Sequence, residues 1–184
     1  MAGYGRLCAL AFLVLAVVAY LALRPMTLDV HLSVFIRCDP QTAFDVFKDP
    51  QNAKKYHPLM KTPGTGMEVT RRETLQDGVE FLNYIAYEEM NGRIVGLIVN
   101  STVYNNELTV YHEGTDPTGL LLRVAGKWTF EAATVDGVQG TLFTDDTTAK
   151  APWILGYIVD LPKLFPYCHG EIVNNVKLLA ESEA

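Results

Sequence analysis

The stretch VEFLNYIAYEEMNGRIVGLIVNSTVYNNELTVYHEG, residues 79–114, decides the fold. It contains three runs rich in Val, Ile and Tyr, separated by the triplets MNG (90–92) and YNN (104–106). Asn and Gly readily adopt the positive φ angles that tight hairpin turns need. The stretch therefore predicts three antiparallel strands, each joined to the next by a short turn.

The same pattern continues on both sides of this stretch. Three further runs of strand character are residues 66–75, 120–132 and 138–149, set off by the turn signals QDG (76–78), DPTG (116–119) and VDG (135–137). Together the six runs predict an antiparallel meander. No segment of helix length interrupts it, which excludes a parallel sheet built from strand–helix–strand units.

The residues before the meander predict one more strand and two short helices. TLDVHLSVFI, residues 27–36, alternates apolar and polar side chains as a half-buried strand does. Asp39 is a good N-cap and Pro40 suits a first helical turn. A second short helix is predicted to begin after Asp49 and to end before Pro58.

The C-terminal residues predict one long helix with two prolines in it. Apolar side chains recur in steps of three and four at Ile154, Ile158, Leu161, Phe165, Cys168, Ile172, Val176 and Leu179. Pro162 and Pro166 interrupt this stripe, and a proline inside a helix removes a backbone bond and costs roughly 3 kcal/mol. We therefore expect either a kink near residues 161–165 or a short helix separated from a long one, and the sequence favours the two alternatives equally.

The order of elements predicts an α+β fold in which a seven-stranded antiparallel curved sheet wraps around a long C-terminal helix. One helix is too small to fill the concave face of seven strands, so a cavity should remain between helix and sheet. An empty apolar volume of about 300 Å³ or more would separate a ligand-binding domain from a scaffold filled by its own side chains.

Residues 28–182 resemble the helix-grip fold of the SRPBCC superfamily, which includes START lipid-transfer domains, pollen-allergen-like proteins and polyketide cyclases. VHLSVFIRCDPQTAFDVFKDPQNAKKYHPLM (30–60) is similar to the first strand and helix pair of that superfamily. RVAGKWTFEA (123–132), GTLFTDDTTAKAPW (140–153) and EIVNNVKLLAE (171–181) resemble its last strands and its C-terminal helix. The resemblance implies binding or transfer of a lipid or another hydrophobic small molecule; a minority of members catalyse reactions on such molecules.

The N-terminal residues predict a separate unit. Leu7–Leu23 is seventeen residues long without a charge, or about 26 Å as a helix at about 1.5 Å per residue. It fits an uncleaved membrane anchor, a cleaved signal peptide or a helix buried in the domain. We favour the anchor and expect two units: residues 1–26, a signal-anchor, and 27–184, a START-like domain. The expected location is a single-pass membrane protein of the endoplasmic reticulum or secretory pathway, with a cleaved secreted form as the alternative.

Composition and spacing exclude several classes of function. The chain has 15 Lys and Arg against 21 Asp and Glu and no basic run, so we expect no nucleic-acid partner. Neither the three cysteines nor the four histidines have metal-ligand spacing, and we expect no metal and no cofactor. Cys38 and Cys168 fit a disulfide and two buried thiols equally well.

Candidates for catalysis are few. His169 with Glu171, His112 with Glu113, and the adjacent carboxylates of TDDTT (144–148) fit surface positions better than an active site. Arg71 and Arg72 point to opposite faces of a strand and cannot form a joint phosphate clamp. An enzyme is the alternative interpretation: a cyclase or hydratase with Tyr84, Tyr111 or His112 as acid or base.

The leading hypothesis is a membrane-anchored domain that binds a lipid or other hydrophobic small molecule between sheet and helix. In two neighbouring runs, 79–90 and 93–104, both the odd-numbered and the even-numbered positions are apolar. A shift of one residue in a strand would therefore exchange the inward and the outward side chains. We attribute this apolar character to core packing, with a membrane or protein contact as the alternative. The residues predicted to line the cavity are Phe81, Asn83, Ile85, Val95, Leu97, Val124, Trp128, Phe130, Ile154, Ile158, Leu161 and Phe165.

Overall fold

The computed structural model describes residues 2–184, without the side chains of residues 2–10 and of Gln76. The helices are α1 (Ala2–Leu23), α2 (Pro40–Lys48), α3 (Ala53–Tyr56), α4 (Trp153–Ile158) and α5 (Leu161–Glu183), with 3₁₀ turns at Pro50–Asn52, Pro58–Met60 and Gln76–Gly78. The strands are β1 (Pro25–Ile36), β2 (Gly66–Thr74), β3 (Val79–Met90), β4 (Arg93–Tyr104), β5 (Thr109–Thr115), β6 (Arg123–Val135) and β7 (Val138–Pro152).

All seven strands form one antiparallel sheet in the order β1-β7-β6-β5-β4-β3-β2. β2 to β7 follow one another as a meander, and β1 pairs with β7 at the far edge. The predicted fold class is therefore confirmed. The turn signals explain the outcome: Asn91 and Gly92 lie between β3 and β4, Asp136 and Gly137 lie between β6 and β7, and all four have positive φ.

The short helices and α5 cover one face of the sheet, and the core lies between them. Asp39 caps α2 by accepting a hydrogen bond from the backbone N–H of Thr42, as its sequence position predicts. α2 places Phe44 and Phe47 against Phe130 of β6 and Phe143 of β7. These four aromatic rings, which we call the aromatic cluster, fill one part of the interior.

The predicted single C-terminal helix is two helices, and the break lies before both prolines. α4 ends at Ile158, and Asp160 adopts a left-handed conformation with φ of 52°. Pro162 then occupies the first turn of α5, where a missing N–H costs nothing, and Pro166 lies one turn further in. The expected kink at residues 161–165 is therefore wrong, and the alternative of a short helix followed by a long one is confirmed, with the interruption at Val159 and Asp160.

The described side chains of α1 lie outside the core. From residue 11 to residue 21 all are exposed, which is the opposite of the buried helix that we considered as one alternative. Within the described part of the chain, no helix is long and apolar enough to cross a membrane. The predicted transmembrane helix is thus not confirmed, and the side chains of residues 7–10 of the predicted anchor lie outside the described residues.

Candidate functional site

A cavity of about 150 Å³ lies between the sheet and α5. Its walls come from the inner faces of β3 to β6, from the segment between α2 and β2, and from the first turns of α5. The predicted cavity is therefore present, but its volume is half of the roughly 300 Å³ expected of a ligand-binding domain. A dry cavity of this size, lined by Leu, Ile and Phe, holds a molecule as large as benzene in other proteins.

The strand β3 faces the cavity with the opposite parity from the prediction. Its buried side chains are Leu82, Tyr84, Ala86 and Glu88. Phe81, Asn83 and Ile85 lie on the outer face, where the side chain of Asn83 donates a hydrogen bond to Asn100 of β4. The predicted inward placement of these three residues is wrong by one position, because both faces of β3 are apolar and the alternation has no unique phase.

The remaining predicted residues divide between the cavity, the core and the surface. Leu97, Val124, Trp128, Leu161 and Phe165 line the cavity. Val95 and Phe130 belong to the hydrophobic core without lining the cavity. Ile154 and Ile158 lie on α4 and are 42% and 67% exposed, because the break before Leu161 turns α4 away from the interior.

The outer face of the meander exposes apolar side chains that packing in a core would bury. Ile94 and Ile98 of β4 and Tyr111 of β5 are about half exposed. Tyr111 was one of the three acid–base candidates, and its position on the outer face excludes it from the cavity. The side chains of Arg71 and Arg72 are also exposed and pair with Glu73 and Glu80.

The cavity has a polar end, which we define as His57, Glu88, His112 and His169 with their partners. His169 of α5 and Asp145 of β7 form its best-defined pair, with Nδ1 of His169 2.6 Å from Oδ2 of Asp145. Asp145 is completely buried, and its other oxygen accepts a hydrogen bond from the hydroxyl of Thr147 at 2.6 Å. His169 lines the cavity itself, so the carboxylate fixes a ring that faces the cavity.

A second histidine packs beside this pair. The ring of His112 stacks on Trp128, with the ring centroids 3.7 Å apart. Burial lowers the pKa of His112 to about 3, so the ring is neutral at pH 7. Nδ1 of His112 and Nε1 of Trp128 are buried and have no hydrogen-bond partner among the described residues. Gly126 makes room for this stack, because a Cβ there would lie 2.5 Å from Cε1 of His112.

The third part of the polar end joins His57 and Glu88. Their nearest atoms, Nε2 and Oε1, are 3.5 Å apart, which is longer than an ordinary hydrogen bond. Burial raises the pKa of Glu88 to about 7 and lowers that of His57 to about 3. His57 is therefore neutral at pH 7 and burial favours the protonated form of Glu88, so the contact is a polar one and not an ion pair.

Tyr84, the acid–base candidate that does line the cavity, is a weak acid. Burial raises its pKa to about 12, and Ser101 lies within 3.4 Å of its hydroxyl. Cys168 also lines the cavity, and burial raises its pKa to about 12. Cys38 and Cys168 are both buried free thiols. Among the described residues, no group of three or more His, Cys, Asp or Glu side chains could hold a metal ion.

The surface positions assigned to Asp145, His112 and His169 are wrong. Adjacent strand residues do point to opposite faces, since Asp146 lies outside against exposed His31, but Asp145 points into the core. A signal for His169 was present in the sequence: it follows Phe165 by four residues and precedes Ile172 by three, which places it on the apolar face of the helix.

No protein-family model and no curated protein matches this sequence. Many solved structures match its fold. The protein TTHA0849 of Thermus thermophilus is 18% identical, with a TM-score of 0.64 over 85% of this chain and 99% of its own. The Zhui aromatase/cyclase of a Streptomyces species is 15% identical, with a TM-score of 0.60 over 85% and 94%. Norcoclaurine synthase of Thalictrum flavum, solved with dopamine and hydroxybenzaldehyde, is 13% identical, with a TM-score of 0.51 over 87% and 90%. These likenesses show that the chain has the helix-grip fold.

Proposed function

We propose that this protein is a member of the SRPBCC superfamily that binds a hydrophobic small molecule in the cavity between sheet and α5. The observation that carries the proposal is the cavity itself, whose walls are mostly apolar and include the few polar groups of the polar end. This is the usual composition of a small-molecule site. Proteins of the same fold include an aromatase/cyclase and a synthase solved with two aromatic compounds, which supports the same kind of ligand here.

The volume of the cavity narrows the ligand class. About 150 Å³ accommodates a compact molecule built on one aromatic ring, or a short branched chain. A lipid of the kind implied by START domains would place only one segment inside, unless α4 and the start of α5 move away from the sheet. We therefore propose that the ligand is a compact ring-containing molecule and not a long acyl chain.

Fluorobenzene, observed by ¹⁹F NMR, is the probe that tests this proposal. We expect the wild-type protein to bind it, and the variant V99F to bind it at least tenfold more weakly, because Val99 lines the cavity and a phenyl ring would fill it. V69F is the matched control, since Val69 is exposed on β2. Thermal melts of both variants separate a filled cavity from an overpacked, unstable core. If the wild-type protein does not bind fluorobenzene, the alternative of a scaffold domain filled by its own side chains is the better account.

We also propose that Leu7–Leu23 anchors the domain to a membrane of the secretory pathway. Two observations support the anchor: the described part of α1 exposes its apolar side chains, and α4 continues that apolar surface. The backbone N–H of Trp153 donates to the carbonyl of Arg24 at 2.8 Å, which fixes α4 beside the end of α1. Trp153, Tyr157 and Ile158 are all about half exposed or more, as side chains at a membrane surface are.

Flotation of the full chain with phosphatidylcholine vesicles tests the anchor. We expect the wild-type protein to float with the vesicles and the double variant V14K/V18K to remain in the aqueous fraction, because two lysines place charges on the exposed apolar surface that would enter the membrane. V135K/V138K adds the same charges at the exposed β6–β7 hairpin and should float like the wild type. Equal flotation of all three proteins, or of none, would contradict anchoring by this segment.

A further inference from the structure

We propose that the polar end of the cavity is a proton-transfer site that interconverts the keto and enol forms of a bound apolar carbonyl compound. His169, oriented by Asp145, removes a proton from the carbon next to the carbonyl, and Glu88 protonates the oxygen. This inference rests on the proposed binding of a hydrophobic molecule and adds the chemical class of that molecule.

The Asp145–His169 pair has the arrangement of a general base. A carboxylate can only accept, so Nδ1 of His169 donates to Asp145; in the neutral ring this tautomer places the lone pair on Nε2. Thr147 holds the second oxygen of Asp145, and the ring of Phe165 packs edge-on against His169 at 4.5 Å. Nε2 makes no hydrogen bond within the described part of the chain, and it belongs to a side chain that lines the cavity.

The other polar groups at this end supply an acid but no competing charge. Glu88 lines the same cavity and, because burial favours its neutral form, it keeps a carboxyl proton near pH 7. A charge on His169 would lower the pKa of both His57 and His112, so the three histidines lie within electrostatic reach of one another. Neutral His57 and His112 leave Asp145 as the group that stabilises the imidazolium formed on His169.

The geometry favours proton transfer over covalent catalysis. Among the described side chains, Cys168 is the one thiol that lines the cavity, and a pKa of about 12 keeps it protonated and unreactive. A histidine base and a carboxylic acid in an apolar cavity match the two needs of enol formation, which are a base for a weakly acidic C–H and a hydrogen-bond donor for the developing oxyanion.

The proposed step balances without any co-reactant. A C–H bond of the substrate breaks and an N–H bond forms at Nε2 of His169, while the O–H bond of Glu88 breaks and an O–H bond forms on the substrate oxygen. The product is the enol isomer of the substrate. His169 then loses its extra proton to solvent and Glu88 regains one from solvent, which restores the two protein groups and, in D₂O, lets the reverse transfers place deuterium on the substrate carbon.

Hydrogen exchange of 2-indanone in D₂O tests the proposal directly. This compact ketone carries exchangeable C–H groups beside its carbonyl, and ¹H NMR follows their replacement by deuterium as well as the binding of the probe. We expect the wild-type protein to accelerate the exchange at least tenfold over buffer. The variants H169N and D145N should each lose most of this acceleration, and E88Q should reduce it.

The exposed pair His31–Asp146 on the outer face of the same strands gives a matched control. H31A removes a histidine of an equivalent pair and should exchange 2-indanone at the wild-type rate. Circular dichroism checks that each variant is folded. Thr147→Val frees one oxygen of Asp145 without removing the base or the acid, and it should lose a smaller part of the acceleration of exchange.

The possible results separate this inference from the proposed function. Acceleration that depends on His169 and Asp145 but not on His31 supports it. Bound 2-indanone that exchanges at the buffer rate overturns the acid–base site and leaves ligand binding intact. Binding of fluorobenzene without binding of 2-indanone overturns the carbonyl class, and failure of both probes overturns the proposed function itself.

Discussion

Replacing Phe130 with alanine is expected to lower the free energy of unfolding by about 3–5 kcal/mol, which is the usual cost of removing a large aromatic side chain from a packed core. Phe130 is 2% exposed. Its ring stacks on Phe143 with a centroid distance of 4.5 Å and contacts Phe44 and Phe47 of α2. The truncation therefore leaves a void at the centre of the aromatic cluster, where neighbours on a sheet and a capped helix cannot move in to fill it.

Urea unfolding followed by circular dichroism measures this effect. Y167A is the matched control, because Tyr167 lies on α5 with more than half of its side chain exposed, and its truncation should change the free energy by about 0.5 kcal/mol or less. The comparison also decides between two roles for Phe130. If Phe130 contacts only ligand, F130A should lose little stability and most of its fluorobenzene binding. A large loss of stability establishes that Phe130 belongs to the core.

The elements of the fold could be predicted from the sequence because local signals specify them. Turn residues such as Asn91–Gly92 and Asp136–Gly137 separate the strands, and an antiparallel meander with short turns has only one simple order. The N-cap Asp39 marks the start of α2 in the same way. None of these signals depends on residues far away in the sequence.

The inward face of β3 could not be predicted because its sequence is apolar on both sides. Leu82 and Tyr84 face the cavity while Phe81 and Ile85 lie outside, and the alternation of hydrophobicity does not distinguish the two sets. Inward Glu88 even opposes the usual assignment of charges to the wet face. Which side chains of β3 face inward is determined only by the pairing of β3 with its neighbouring strands and by the helices that cover the sheet.

The Asp145–His169 pair could not be predicted because it is a long-range contact between two residues that look like surface residues. Each buried polar group is unfavourable alone, and the cost is offset only when the other lies within hydrogen-bond distance. The two residues are 24 positions apart in the sequence. The apolar spacing around His169 hinted at burial, but it gave no indication of the partner.

The interior of the fold is thus divided into two parts with different chemistry. The aromatic cluster under α2 gives stability, and the cavity beneath α5 collects groups that reduce it. Buried neutral His57 and His112 and the buried carboxyl of Glu88 each have a pKa displaced by burial, which is a thermodynamic cost at some pH. Such costs are typical of functional sites, where perturbed groups cluster, and they make the polar end detectable without knowledge of its ligand.

The variant E88Q is expected to become more stable relative to the wild type as the pH rises, by about 3 kcal/mol between pH 4.5 and pH 8. Below pH 4.5, the ordinary pKa of a glutamate, Glu88 is protonated in the folded and the unfolded chain and contributes no difference. Between 4.5 and about 7 the unfolded chain loses the proton while the folded chain keeps it. Unfolding therefore becomes easier as the pH rises, at about 1.36 kcal/mol per pH unit, and the effect levels off above pH 7.

The test is urea unfolding of wild type and E88Q at pH 4.5, 6, 7 and 8, with the difference in free energy plotted against pH. An amide left without partners could lower the stability of E88Q by about 1–3 kcal/mol, but that offset is the same at every pH, so the slope alone carries the prediction. E89Q is the matched control, because Glu89 is the next residue of β3 and lies on its other face. A flat difference for E88Q, or one with the slope of E89Q, would show that Glu88 ionises freely in the folded protein, and the acid of the proposed proton-transfer site would then have to be another group.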